Sequence, residues 1–75
     1  MTKAFVAIHC ETGKESQIIK KLSEVQGITS VTGVLGLYDI IAEIESGNST
    51  VLEKIITEHI RKVPHVLSTM TLITV

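Results

Sequence analysis

Residues 28–45 read ITSVTGVLGLYDIIAEIE. The first part, residues 28–35, is a β-branched run and reads as a strand. The last part, YDIIAEIE at 38–45, reads as another. The link between them, Gly36-Leu37, is short enough for a hairpin, which makes the two strands antiparallel neighbours. Gly33 lies inside the first run and suggests a bulge or the close approach of another backbone. Tyr38 and Asp39 stand together directly after the second glycine. The chain has one Tyr, one Phe and no Trp, so one of its two aromatic residues, Tyr38, is placed in this turn, the other being Phe5.

Outward from this hairpin the pattern alternates. Upstream, KAFVAIHC at 3–10 is a strand whose apolar residues fall at consecutive positions, as they do when both faces are covered. At 13–26, GKESQIIKKLSEVQ switches period: Ile18, Ile19, Leu22 and Val25 form a helical stripe. Thr12 and Glu15 have capping-box spacing at its start, and Gly27 suits its end. Downstream, SGNS at 46–49 is a turn, and the helical period returns from Thr50 to about Lys62. Leu52, Ile55, Ile56, His59 and Ile60 share a face there, and Thr50 and Glu53 repeat the capping-box spacing. Val63-Pro64 stops the helix. HVLSTMTLITV at 65–75 is a last strand.

The order is βαββαβ, and the halves echo each other at an offset of 38 residues: VQGITS at 25–30 matches VPHVLS at 63–68, Ile18 matches Ile56, and Leu22 matches Ile60. Two split βαβ units make an α+β, ferredoxin-like sandwich. Four antiparallel strands form its sheet and two helices cover one face. The 75 residues make a single domain, 1–75, with a marginal core of its own.

The other sheet face should be polar if the domain stands alone. It is not. Tyr38, Ile40, Ala42 and Ile44 alternate with Ile41; Phe5 and Ala7 with Ala4, Val6 and Ile8; Leu67 and Ile73 with Val66, Met70 and Leu72. Apolar side chains on both faces call for a second cover, and another copy of the chain is the expected one.

Composition excludes several functions. The formal net charge is −1 and the seven basic residues are scattered apart from the Lys20-Lys21 and Arg61-Lys62 pairs, which is not the footprint of a nucleic-acid binder. The N-terminal apolar run is too short to span a membrane and has no signal-peptide pattern. One cysteine, Cys10, forms no disulfide framework and suits a reducing compartment, so the expected location is cytoplasmic. No metal-ligand spacing occurs. No base stands beside a nucleophile with a third orienting group, and Glu43 and Glu45 on one strand face are not a catalytic pair without a pocket. No cofactor and no enzymatic activity are expected.

The strand order, GVLGLYDIIAEIE and the ending VPHVLSTMTLITV together resemble the ligand-sensing domain of the Lrp/AsnC (feast/famine) transcriptional regulators. That domain carries a Gly-x-Tyr-Asp turn between its second and third strands and ends in a strand with two alternating threonines. The resemblance covers essentially the whole chain. It implies dimers paired through their sheets, assembled into rings of four or five dimers, with amino-acid effectors bound between dimers. The implied ligand-binding residues are Gly36, Leu37, Tyr38 and Asp39 in the turn and Thr69 and Thr71 in the last strand. The turn reads Leu35-Gly36 where many relatives have Thr-Gly. The helix-turn-helix domain usual in the family is not expected here, so direct nucleic-acid binding does not carry over. Full-length Lrp/AsnC regulators are then candidate partners in mixed assemblies.

The same chemistry can be assigned to these residues directly. Gly36 leaves a turn amide open to a carboxylate, and equally serves turn geometry alone. Asp39 can accept from an ammonium group or from nearby amides. Tyr38 can wall a pocket or pack an interface. Thr69 and Thr71 share a strand face and also simply suit a strand. The competing functions are a small dimeric α+β-barrel enzyme of the monooxygenase type, which would need a pocket within the sandwich with His, Asn or Trp, and an ACT-type amino-acid regulatory domain, which would pair its sheets edge to edge.

Overall fold

The computed structural model describes residues 2–74. Its strands are β1 (Thr2–Cys10), β2 (Ile28–Gly33), β3 (Ile40–Ser46) and β4 (Val66–Ile73), and its helices are α1 (Glu15–Ser23) and α2 (Ser49–Ile55), the latter continued by a π-helical turn over Ile56–Ile60. The sheet order is β2-β3-β1-β4, with every neighbouring pair antiparallel. This is the expected α+β sandwich. Because β1 and β2 are both antiparallel to β3, they run the same way, so α1 is a crossover between parallel strands.

Pleat and register decide what is core. On β1, Ala4, Val6, Ile8 and Cys10 point to the helices. They meet Ile40, Ala42 and Ile44 of β3, Ile18 and Leu22 of α1, and Leu52, Ile56 and Ile60 from the second helix. The residues matched by the internal echo occupy equivalent places: Ile18, Leu22, Ile56 and Ile60 are all buried. No polar or charged residue is buried among the described residues. The fold thus rests on apolar burial, at roughly 1.5–3 kcal/mol for each fully buried large aliphatic side chain.

Several boundaries differ from the sequence reading, each for a local reason. Helix α1 begins at Glu15 with Lys14 as its N-cap and no side-chain cap bond. The Thr12–Glu15 box does not form because Glu11 to Lys14 makes a turn of its own, with the Lys14 amide donating to the Glu11 carbonyl at 3.1 Å and Gly13 at φ +86°. Helix α2 is capped by Asn48, whose side chain accepts from the Val51 amide at 2.9 Å. Asn48 has the extended backbone that a cap requires, which leaves Thr50 inside the helix. The helix ends at Ile60, ahead of Val63-Pro64, and His65 takes a positive φ of 75° in the turn into β4.

The joint between β2 and β3 is not a two-residue hairpin. Six residues, Val34 to Asp39, form a loop closed by the Val34 amide donating to the Asp39 carbonyl at 2.8 Å. Gly33 pairs regularly with Ile40 and is neither bulged nor closely approached, since a Cβ there would meet the Asp39 carbonyl only at 4.0 Å; the bulge lies at Thr29, between the pairs Ile28–Ile44 and Ser30–Glu43. A second irregularity, where Cys10 pairs with Val66 and His9 with Ser68, leaves Leu67 unpaired. It turns Val66 toward the helices, where it packs on the core, although strict alternation had grouped it with Met70 and Leu72.

Candidate functional site

Three features stand outside the core: the loop at Val34–Asp39, the uncovered sheet face, and the clefts along the outer edge of β4.

The loop is fastened to the end of β1 by Asp39. Its amide donates to the Ile8 carbonyl at 2.9 Å, extending the β1–β3 ladder. Its Oδ2 accepts from the Cys10 amide at 2.9 Å and lies 3.0 Å from Nδ1 of His9. The Cys10 amide, and then the His9 ring, hold the Asp39 carboxyl below its ordinary pKa. Burial and the nearby Asp39 charge push the Cys10 thiol up, which disfavours its thiolate form. Beyond this anchor the loop projects freely. Gly36 has φ +144° with open space where a Cβ would lie, and Leu35 and Leu37 are 103% and 91% exposed. Tyr38 is half-buried.

On the uncovered face two rows run across the sheet. One is Thr32, Ile41, Ala7 and Met70; the other is Ser30, Glu43, Phe5 and Leu72. Phe5, Met70 and Leu72 are 36%, 46% and 59% exposed. A polar strip borders them. Lys3 pairs with Glu43 at 2.8 Å and Ser30 donates to the same carboxylate at 3.3 Å. The hydrogen-bonded pair raises the Lys3 pKa and lowers that of Glu43.

Thr69 and Thr71 pair with Ile8 and Val6, and so lie on the helix side of β4. They are one strand removed from the 36–39 loop. Within one chain the structure therefore does not gather the six expected residues into a single pocket. Thr71 lines a cleft of about 290 Å³ between α2 and β4, with Glu53, Ile56, Thr57, Arg61 and Ile73. Its hydroxyl oxygen is buried without a hydrogen-bond partner among the described residues. Thr69 lines an adjoining cleft of about 300 Å³, which also holds Arg61. The sequence reading passed over Arg61 as a site residue. The signal available was an arginine at the end of a helix, eight residues before the first of two alternating threonines. It also passed over two histidine–carboxylate contacts, His9–Asp39 and His65–Glu11, the latter at 2.9 Å. His59, expected on the apolar stripe, is exposed.

Among the described residues no group of three or more His, Cys, Asp or Glu side chains is placed to hold a metal ion. No helix is long and apolar enough to cross a membrane.

Residues 3–75 match the family described as the Lrp/AsnC ligand binding domain. A hypothetical protein from Pyrococcus horikoshii superposes with a TM-score of 0.94 at 33% identity, covering 100% of this chain and 90% of that one. An AsnC-family transcriptional regulatory protein from Pyrococcus furiosus superposes with a TM-score of 0.78 at 24% identity, covering 96% of this chain and 49% of that one. The homocitrate synthase of Sulfurisphaera tokodaii is 33% identical over 70 residues, which are 92% of this chain and only 15% of that enzyme. The strand order, the Gly36–Asp39 turn, the paired threonines of β4 and the match over residues 3–75 agree: the chain belongs to the Lrp/AsnC ligand-binding domain family.

Proposed function

We propose that the chain is a sensing and assembly module, without enzymatic activity, that binds a small amino acid and pairs with copies of itself. The uncovered sheet face carries this reading. Phe5, Met70 and Leu72 lie side by side with Ile41 and Ala7, and a domain with so small a core gains from covering them. Two such faces laid together form a dimer.

The separation of the 36–39 loop from Thr69 and Thr71 supports a ligand held between dimers, since a second copy is one way to complete the site. In that reading Gly36 and Leu37 offer open backbone, Tyr38 forms a wall, and Thr69 and Thr71 supply hydroxyls. Asp39 holds the loop in place and presents its remaining acceptor capacity to a polar group of the ligand. Rings of eight or ten chains follow from the family resemblance. The same module makes up about half of a transcriptional regulatory protein and a small part of a homocitrate synthase. That distribution fits a portable regulatory unit, and a longer relative built on it is a candidate partner in mixed assemblies. No direct contact with nucleic acid or membrane is part of this reading, and a cytoplasmic location goes with it.

The test is solution mass by light scattering, with and without each common amino acid, paired with calorimetric titration of the same set. The expected result is an even-numbered assembly whose mass or stability one amino acid changes. A ligand does this only by binding one assembly state more tightly than another. A monomer indifferent to every amino acid would refute the proposal.

A further inference from the structure

The two clefts along the outer edge of β4 share one residue, Arg61. Thr71 opens onto one and Thr69 onto the other, so Arg61 stands at the junction beside both threonines. It is exposed, at the end of the second helix, and its own amide closes the wide turn by donating to the Ile56 carbonyl at 3.1 Å. Such π-helical turns re-aim the residues that follow them and concentrate at binding sites. The ion pairs found among the described residues are Lys3–Glu43, His9–Asp39 and His65–Glu11. None of them involves Arg61, or Glu53 on the same cleft.

We infer that Arg61 is the specificity residue of an α-amino-acid site between α2 and β4, taking the ligand's carboxylate while Glu53 takes its ammonium group. The chemistry is matched at each point. A guanidinium presents a planar fork that suits a carboxylate bidentately. Glu53 is the acid in the same cleft. Ile73, 43% exposed, and Ile56 give an apolar wall for a short aliphatic side chain. Thr71 lines the cleft, and its hydroxyl oxygen is buried without a hydrogen-bond partner among the described residues, so it is available to a polar ligand atom after a change of χ1 rotamer. A volume of about 290 Å³ is at the lower limit for ligand pockets and suits a molecule of amino-acid size. Arg61 also complements the negative end of the helix. That role needs only its charge and is fulfilled equally by lysine.

This inference rests on the sensor reading for the ligand's class, and the experiment separates the two. The intact assembly is titrated with the common amino acids, their C-terminal amides and the matching 2-oxo acids, for the wild type, Arg61→Gln and Arg61→Lys. Circular dichroism and solution mass serve as controls. The inference expects an aliphatic amino acid to bind, its amide to bind more weakly, and both variants to lose about tenfold or more in affinity with fold and mass unchanged. Should Arg61→Gln fail to fold, Arg61→Lys alone decides, because it keeps the charge and removes the fork. Undiminished amino-acid binding in Arg61→Lys would overturn the assignment and leave the sensor reading intact. Arg61-dependent binding of 2-oxo acids alone would uphold Arg61 as a carboxylate receptor and overturn both the Glu53 role and the amino-acid reading. Binding of none of these compounds would overturn both proposals.

Discussion

Leu72→Ala should weaken self-association while leaving the fold of each chain intact. Leu72 lies on the uncovered face beside Phe5 and is 59% exposed. A fully buried leucine contributes roughly 1.5–3 kcal/mol, so covering the exposed part is worth about 1–2 kcal/mol per chain. A two-fold pair of faces uses the residue twice, giving about 2–4 kcal/mol, or roughly 30- to 1,000-fold in the dimer dissociation constant. Leu72→Asp should go further and give monomers, because it would bury an unpaired charge. Sedimentation equilibrium over a dilution series reads the constant, and far-UV circular dichroism reads the fold. Leu37→Ala is the control. Leu37 is 91% exposed, but on the loop, so its loss should leave the face-to-face constant unchanged. A Leu72→Asp chain that associates as tightly as the wild type would refute pairing through this face.

Other perturbations test the local arguments. Gly27→Ala places a Cβ 2.6 Å from Cδ1 of Ile55 at a φ of +100°. Moving the end of that side chain relieves the clash but not the backbone, so urea unfolding should show a loss of about 1–2 kcal/mol or somewhat more. Asn48→Ala removes the acceptor of the Val51 amide and should cost about 1 kcal/mol by the same measurement. Thr71→Val deletes a buried hydroxyl with no partner among the described residues, so thermal unfolding should show no loss and a gain of up to about 1 kcal/mol. Asp39 is held below its ordinary pKa by the Cys10 amide and His9. Its contribution is therefore present above about pH 4 and is lost as the pH falls through the lowered value. Asp39→Asn should flatten that acid limb in a series of urea midpoints, and an unchanged limb would show that the contact does not fasten the loop.

The period of the apolar residues made the architecture legible. Two helical stripes, four strand-like runs and the 38-residue echo lead to the observed sheet, and the stripe members Ile18, Leu22, Leu52, Ile56 and Ile60 are all core. Element ends were less legible, because they depend on single hydrogen bonds with rivals nearby. Asn48 caps α2 where Thr50 has equally suitable chemistry, since only Asn48 lies outside the helix with extended backbone. The 34–39 loop is longer than its glycines suggest because Asp39 is bound to residues some thirty positions earlier, a contact that local sequence does not carry. Alternation grouped Phe5 with Ala7 and Met70 with Leu72, and only the register across the sheet joins them as one face; Val66 was misgrouped, since the irregularity at Cys10 has no local signature. At the candidate site the turn and the threonines could be named from their order. Their separation by a strand, and the position of Arg61, depend on pairing across the sheet.

The π-helical turn bears on how this chain tolerates a change of length. Its wide turn holds one residue more than an α-helical turn needs, and Thr57, Glu58 and His59 within it are all exposed. Removing any one of them leaves Ile56 and Ile60 three positions apart, still on one helical face. The same deletion in β1 would reverse the facing of every residue on one side of the gap, turning core positions such as Ala4 and Val6 outward and Lys3 and Phe5 inward. The second helix thus has slack where the central strand has none. Homologues that differ in length by one residue would be expected to differ at this turn, where the change moves Arg61 relative to β4 without disturbing the apolar layer beneath it.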